Sequence, residues 1–193
     1  MIKDEITNIL VEFYRMILRH ELKLSFYSDF DHDPRYKDCP RPSRVNTKKF
    51  IVIGAASLVL QDRLSATSDI DLMTDVYTIN DTLKILTRED IPAEIYCSDY
   101  AYADQLTFDF KETKFDILSN CFVSFLMSDL EKNIEICPYD VPIHLRPVDL
   151  IKEDYMKVIK YIGSHHDPED TGCIQKYIER LSALEHSIRE PVR

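Results

Sequence analysis

The order of apolar and polar residues divides the chain into a helical start, a strand-rich middle and a helical end. At the start, apolar residues recur at helical spacing over residues 2–24, namely at Ile6, Ile9, Leu10, Phe13 and Ile17. A repeat of three to four residues places such side chains on one face, so an amphipathic helix is predicted there. Residues 28–48 are polar and contain three prolines, which predicts a long loop.

Short apolar runs in the middle of the chain predict strands and the helices that connect them. A strand ending at Gly54, a helix over residues 55–64 and a strand through Asp71 are predicted within residues 49–73. Further strands are predicted at 94–97, 105–110, 114–119, 134–136 and 141–143, and helices at 81–89 and 122–131. Because Pro142 cannot donate a backbone hydrogen bond to a ladder, the last strand is predicted at a sheet edge.

The last third of the chain returns to the helical period. Two apolar faces at this spacing run from Ile151 to Ile162 and from Ile174 to Leu184. The segment from Gly163 to Pro168 ends the first helix, and Asp167 and Asp170 are predicted to cap the second. The predicted architecture is an α/β (α+β) fold, a mixed sheet with flanking helices and a C-terminal helical pair. Three parts are expected: residues 1–48 (helix and loop), 49–145 (α/β core) and 146–193 (helical segment).

Composition narrows the class of protein. A length of 193 residues suits one domain, with or without a helical appendage. The net charge of −10 argues against a broad electrostatic grip on nucleic acid, although a local basic groove remains compatible with it. No apolar run approaches the roughly 18 residues of a membrane span, and the five cysteines show no metal-binding spacing. A cytoplasmic protein with free thiols and no membrane contact is therefore expected.

The strongest chemical signal is the pair Asp69 and Asp71, which are two residues apart in a predicted strand. Successive strand residues point to opposite faces, so both carboxylates face one way while Ile70 and Leu72 face the other. Carboxylates spaced about 6–7 Å apart along a strand repel each other unless a cation lies between them. Rigidly placed acidic oxygens suit Mg²⁺ that carries a phosphorylated substrate.

These aspartates belong to a longer pattern that resembles a known superfamily. Gly54, Ala55 and Ser57 after a strand, then a spacer, then Thr67, Asp69 and Asp71 resemble the signature of DNA polymerase β-like nucleotidyltransferases. Small bacterial members, of the abortive-infection and toxin kind, are the most similar. The chain departs from the pattern in two places: the small-residue pair is Gly54 and Ala55, with Ser57 two positions later, and the usual basic residue is Ser65, with Arg63 two places earlier.

The resemblance implies a metal site of three carboxylates. Asp69 and Asp71 would hold two Mg²⁺ ions, with Mn²⁺ as the alternative metal. The third carboxylate, on a neighbouring strand, is Asp116 or Asp109. We favour Asp116, because its apolar-Asp-Ile-Leu context matches the third strand of the family, which would leave Asp109 facing solvent. Asp116 would ligate the catalytic metal and help to deprotonate the attacking hydroxyl.

The resemblance also implies a nucleotide site. The phosphates of a nucleoside triphosphate would lie against Gly54, Ala55 and Ser57, at a helix N-terminus. Arg63 and Thr67 are assigned to the same site. Lys152, Lys157 and Lys160, on the predicted helix after residue 146, either supply a cation to the triphosphate or form a solvated helix face.

The implied activity is transfer of a nucleoside monophosphate from a nucleoside triphosphate to a hydroxyl. The acceptor is a tRNA 3′ end, a protein or a small molecule such as an aminoglycoside, and the sequence does not choose among them. The alternatives are a non-catalytic nucleotidyltransferase-like binding or regulatory module, or an unrelated α/β protein with a fortuitous aspartate pair. The basic loop at 28–48, with Arg41 and Arg44, is hypothesised to help recruit one substrate.

Overall fold

The computed structural model describes residues 1–24, 49–74, 76–97, 104–119, 132–165 and 171–187. The predicted loop at 28–48, the predicted helix at 122–131 and the acidic junction at 166–170 lie outside the described residues. Within the described ranges, no helix has both the length and the apolar composition that a membrane span requires.

Five helices and one seven-stranded mixed sheet account for most of the described residues. The helices are α1 (Lys3–Leu24), α2 (Gly54–Leu60), α3 (Val76–Arg88), α4 (Val148–His165) and α5 (Thr171–Ser187). The strands are β1 (Ile51–Val52), β2 (Asp69–Met73), β3 (Ala93–Cys97), β4 (Asp104–Phe110), β5 (Thr113–Ser119), β6 (Ile134–Ile136) and β7 (Ile143–Leu145). The predicted mixed α/β fold is confirmed.

The order of the strands places β2 near the middle of the sheet. The order is β3-β4-β5-β2-β1-β7-β6, with β2 antiparallel to β1 and parallel to β5. The prediction of an edge strand at residues 141–143 is wrong, because β7 lies between β1 and β6. Pro142 precedes β7, so the strand loses no ladder hydrogen bond to the proline.

One face of the sheet is covered by an aromatic core. Ile70 and Leu72 of β2 and Ile117 of β5 are fully buried on this face. The ring of Phe13, from α1, lies 5.0 Å from that of Phe115. Because strand residues alternate between faces, burial of these positions turns Asp69, Asp71, Lys114 and Asp116 to the opposite face.

Helix α2 connects this core to the C-terminal helices. Ala56 and Val59 belong to the main core, whereas Leu58 packs in a second cluster with Ile151, Tyr155 and Leu184. The rings of Tyr155 on α4 and Tyr177 on α5 lie 5.0 Å apart. The predicted C-terminal helical pair is therefore present, and it is packed against the helix that begins at Gly54.

The hairpin between β4 and β5 turns on two residues that are not glycine. Phe110 pairs with Thr113, and the intervening Lys111 and Glu112 have φ of 51° and 60°. Positive φ at both central residues is the geometry of a type I′ turn, which normally favours Asn-Gly. The turn before the strand that carries Asp116 is thus strained.

Replacing Glu112 by Gly is expected to raise the free energy of unfolding by about 0.5–1 kcal/mol. Glycine removes the cost of a left-handed backbone, partly offset by the greater freedom of the unfolded chain. Urea denaturation measures the change. Glu112→Val is the matched control and should destabilise the fold, since β-branched residues tolerate positive φ poorly. Equal or lower stability of Glu112→Gly would contradict the turn geometry.

Candidate functional site

The site is built on β2 and β5, which run side by side. In their parallel register Asp71 lies opposite Asp116, and Asp69 lies opposite Lys114. Neighbouring strands are about 4.8 Å apart, so the three carboxylates and one ammonium group share a small area of the sheet. The structure thus brings together Asp69, Asp71 and Asp116, the three aspartates predicted from the sequence. It also places Lys114 among them, which was not predicted.

The carboxylate of Asp116 is buried and surrounded by donors. Its Oδ1 accepts hydrogen bonds from Thr107 Oγ1 (2.5 Å) and Gln105 Nε2 (3.0 Å). Its Oδ2 forms an ion pair with Lys114 Nζ at 2.9 Å. Burial acts to raise the pKa of Asp116, but the hydrogen bonds from Thr107, Lys114 and Gln105 outweigh it and hold the pKa below its usual value. Asp116 is therefore ionised over the whole neutral range.

Asp109, the other candidate for the third carboxylate, is in a different setting. It lies on β4 opposite Lys114, and its side chain is exposed. The solvent-facing position expected for Asp109 is confirmed.

Asp71 has the opposite electrostatic setting to Asp116. Burial, followed by the negative charges of Asp69 and Asp116, raises the pKa of Asp71 to about 6. The cations Arg180 and Lys176, both on α5, partly counteract this rise. Without a bound cation, the face of the sheet therefore carries more negative charge than its surroundings balance.

Thr67 orients the carboxylate of Asp69. Its Oγ1 donates to Asp69 Oδ1 at 2.9 Å. Its backbone N–H donates to the carbonyl of Met1 at 3.0 Å, which ties the start of β2 to the N-terminus of the chain. The structure gives Thr67 a contact with a carboxylate, whereas a contact with nucleotide was predicted.

Gly54 begins α2 directly against the carboxylates. Its φ of 58° is left-handed, and a Cβ on this residue would lie 2.8 Å from Asp71 Oδ2. The neighbouring Ile53 N–H donates to the Asp71 carbonyl at 2.9 Å, which fixes the strand to the helix start. Both the backbone conformation and the close approach therefore require glycine here.

We expect Gly54→Ala to lower the free energy of unfolding by about 2 kcal/mol or more. The left-handed backbone alone costs roughly 1–2 kcal/mol, and the added methyl group must displace the Asp71 carboxylate. Thermal unfolding measures the loss. In an Asp71→Ala background the same change should cost less, because the crowded oxygen is gone. Equal costs in both backgrounds would show that the contact with Asp71 does not matter.

Ser57 and Ala55, which were predicted to contact phosphate, lie inside the protein. Ser57 is fully buried, and its hydroxyl donates to the carbonyl of Arg146 at 2.8 Å. Gln61 Nε2 donates to the same carbonyl at 2.8 Å. Ala55 is 1% exposed. The hydroxyl of Ser57 therefore joins α2 to the segment before α4, and its hydrogen is donated within the protein.

The cations that act on Asp71 lie on α5, whereas the sequence predicts them on the helix after residue 146. Lys152 is half-buried and Lys157 and Lys160 are exposed, all on α4. The positive charges that lower the pKa of Asp71 are instead Lys176 and Arg180 on α5. These two are four residues apart and so share one helix face. That spacing was the only signal in the sequence that could have found them.

The donor chemistry at the site fits a divalent metal, but the side chains are not arranged as a finished metal site. In the part of the chain that the structure describes, no three His, Cys, Asp or Glu side chains converge as ligands. The donors at hand are carboxylate oxygens, the ligands that Mg²⁺ prefers. Asp116 Oδ2 is held by Lys114, so ligation by this oxygen requires Lys114 to move.

Comparisons with known proteins support the fold. No protein-family model matches the chain, and no curated protein matches its sequence. A crystal structure from Thermotoga maritima, described as a "putative nucleotidyltransferase", matches with a TM-score of 0.54 and 15% sequence identity. The match covers 93% of this chain and 96% of that one. The described sheet and helices thus form a nucleotidyltransferase-like fold.

Proposed function

We propose that this protein is a Mg²⁺-dependent nucleotidyltransferase that moves a nucleoside monophosphate from a nucleoside triphosphate to a hydroxyl of an acceptor. The observation that supports this most is the grouping of Asp69, Asp71 and Asp116 on two adjacent parallel strands, with Gly54 so close that a Cβ there would lie 2.8 Å from Asp71 Oδ2. The fold alone supports a nucleotidyltransferase-like architecture, and folds of this kind carry more than one function. The charged residues of the site therefore carry the argument.

The carboxylates suit the proposed chemistry because of their charge. A divalent metal bound there would neutralise phosphate charge and stabilise the leaving pyrophosphate. Asp69, oriented by Thr67, and Asp71 would hold it, together with Asp116 once Lys114 has turned away. The exposed Lys114 side chain would then be free to contact phosphate oxygens.

The hydroxyl that attacks must lose a proton, and a carboxylate of the site would accept it. In the metal-free site burial and negative neighbours raise the pKa of Asp71 to about 6, whereas three donors hold the pKa of Asp116 below its usual value. A divalent cation held by Asp69 and Asp71 would offset the negative charges that raise the pKa of Asp71, which leaves Asp71 as a metal ligand. We therefore propose that Asp116 helps to deprotonate the hydroxyl, the role that the resemblance implies.

The other residues that the sequence assigned to the nucleotide site are proposed to contact its phosphates. Gly54 would let phosphates approach the start of α2, and Arg63 and the α4 residues Lys152 and Lys157 stay candidates for phosphate contact. We propose that the protein is one of the small bacterial nucleotidyltransferases of the toxin kind, because its motif from Thr67 to Asp71 resembles theirs. The exposed free thiol of Cys137 suits a reducing compartment, so we propose that the protein acts in the cytosol.

One observation favours a second candidate, a nucleotide-binding module without catalysis. The ion pair between Lys114 and Asp116 already satisfies the third carboxylate, so the site has an internal counter-ion. If Lys114 stays in place, Asp69 and Asp71 alone would have to hold the metal. Such a protein would bind nucleotides but would not transfer them.

Labelled nucleotides separate the two candidates. The protein is incubated with a cell lysate and with nucleoside triphosphates carrying the label at the α- or the γ-phosphate, in Mg²⁺ or in EDTA. Transfer predicts that label from the α-position, and not from the γ-position, enters RNA, protein or small molecules only in Mg²⁺. The Asp69→Asn protein serves as the inactive control. Absence of α-label with intact nucleotide binding would favour the binding module.

A further inference from the structure

A groove with apolar and charged side chains lies beside helix α5. It lies between the segment after α2 and helix α5, with a volume of about 240 Å³. Its apolar lining is Leu58, Leu64, Ala183 and Leu184, and its charged lining is Arg63, Lys176, Glu179 and Arg180. Whole ligand pockets usually measure about 300–1,000 Å³. The groove is therefore sized for one part of a ligand.

The charges of the groove are predominantly positive. Among the described residues, Arg63, Lys176 and Arg180 make no salt bridge with a carboxylate, in contrast to Lys3, which pairs with Asp62 at 2.6 Å. The one acidic residue of the lining, Glu179, accepts a hydrogen bond from Gln175 at 2.9 Å. Three cations on the surface of a protein with net charge −10 form a local anion-attracting site.

The groove adjoins the proposed reaction centre, because Leu58 of its lining lies about one turn of α2 after Gly54, where a Cβ would lie 2.8 Å from Asp71 Oδ2. Lys176 and Arg180 act electrostatically on Asp71, and Arg180 also acts on Tyr155, whose ring belongs to the same apolar cluster as Leu58 and Leu184. A ligand in the groove would therefore have its anionic group at Lys176 and Arg180, on the side of the carboxylates, and its apolar part against Leu58 and Leu184. The nucleotide phosphates are proposed to lie at Gly54, at the start of α2, so the groove at Leu58 and Leu64 further along the chain is left for the second substrate.

We propose that the groove is the acceptor subsite and that the acceptor bears a phosphate group. Arg63, Lys176 and Arg180 would hold the phosphate, and the apolar lining would hold the ring or chain next to it. This inference rests on the proposed function and narrows it, because it disfavours cationic acceptors such as aminoglycosides.

The transfer of the nucleoside monophosphate proceeds in the same way for any such acceptor. The acceptor hydroxyl forms a bond to the α-phosphorus, and the bond from that phosphorus to the bridging oxygen breaks. Pyrophosphate leaves with the electron pair, and the hydroxyl proton passes to a carboxylate of the site. No oxidant, reductant or further reactant is needed.

Binding without metal or nucleotide tests the groove separately from catalysis. Two probes are titrated in EDTA: a fluorescent single-stranded trinucleotide of RNA and a nucleoside 3′,5′-bisphosphate. The test variant is Arg63→Ala with Lys176→Ala, both exposed side chains, so the fold should survive. The matched control is Arg19→Ala with Arg88→Ala, which removes two exposed cations that do not line the groove.

We expect at least one probe to bind, with affinity roughly tenfold or more weaker in the test variant and unchanged in the control, since charge-assisted contacts are lost. Binding of the trinucleotide alone would point to a polynucleotide end, and binding of the bisphosphate would point to a phosphorylated small molecule. Equal affinity in both double variants, no binding of either probe, or equal binding of the unphosphorylated nucleoside would overturn the proposal. Groove-dependent binding without any transfer in Mg²⁺ would instead reject the proposed function and leave the groove standing.

Discussion

Asp71→Asn is expected to abolish nucleotide transfer while stabilising the metal-free protein at pH 7 by about 1–2 kcal/mol. The folded-state pKa of Asp71, raised to about 6, lies above its ordinary value of 3.8, so the ionised carboxylate weakens the fold at neutral pH. This cost is absent below about pH 4, grows as the pH rises toward 6, and is fully present above it. The neutral amide of asparagine avoids the cost, although it also loses the attraction of Lys176 and Arg180.

Thermal unfolding in EDTA measures this effect. At pH 7 the variant should melt a few degrees above the wild-type protein, and the difference should vanish near pH 4. Asp109→Asn is the matched control, because this carboxylate is exposed and its removal should change little. A melting temperature lowered by many degrees in both Asp69→Asn and Asp71→Asn would identify these aspartates as structural and reject the metal site.

Asp116→Ala is expected to lower the rate of transfer by roughly 100-fold or more, whereas Asp109→Ala should retain most of the activity. The register of β2 and β5 places Asp116, and not Asp109, beside Asp71. Removing the carboxylate also frees Lys114, whose ammonium group then remains near Asp69 and Asp71 and competes with a metal. Steady-state rates measured with saturating Mg²⁺ compare the two variants.

A second substitution at Asp116 distinguishes loss of catalysis from loss of folding. Asp116→Asn keeps an oxygen that can accept hydrogen bonds from Thr107 and Gln105, so its stability should stay closer to that of the wild type. It should nevertheless be inactive. If Asp109→Ala is inactive and both Asp116 variants are active, the third carboxylate has been placed on the wrong strand.

The carboxylate strands were predictable because their signals are local. Ile70 and Leu72 alternate with Asp69 and Asp71, and this alternation of apolar and acidic residues predicts which side chains are buried in the core. The hairpin before Asp116 was also found, although Lys111 and Glu112 lack the usual turn residues. Its register follows from the apolar residues on both strands and not from the turn.

The differences between the sequence-based expectations and the structure concern contacts that link distant parts of the chain. Pro142 suggested an edge strand, but it stands one residue before β7, and the parallel pairing of β7 with β1 is set by packing. Ser57 looked like a phosphate ligand because it follows the glycine turn, yet its hydroxyl meets the carbonyl of Arg146, 89 residues away. Lys176 and Arg180 act on the pKa of Asp71 because α5 packs against α2 through Leu184 and Leu58. No local pattern carries that information.

Calorimetric titration with a nucleoside triphosphate whose α,β-bridge cannot be cleaved shows directly whether a carboxylate-bound metal holds the nucleotide. We expect binding heat for the wild-type protein in Mg²⁺, and loss of that heat both in EDTA and in Asp71→Asn. Asp109→Asn should bind like the wild type. Equal binding with and without Mg²⁺, or undiminished binding by Asp71→Asn, would contradict a carboxylate-bound metal that holds the nucleotide.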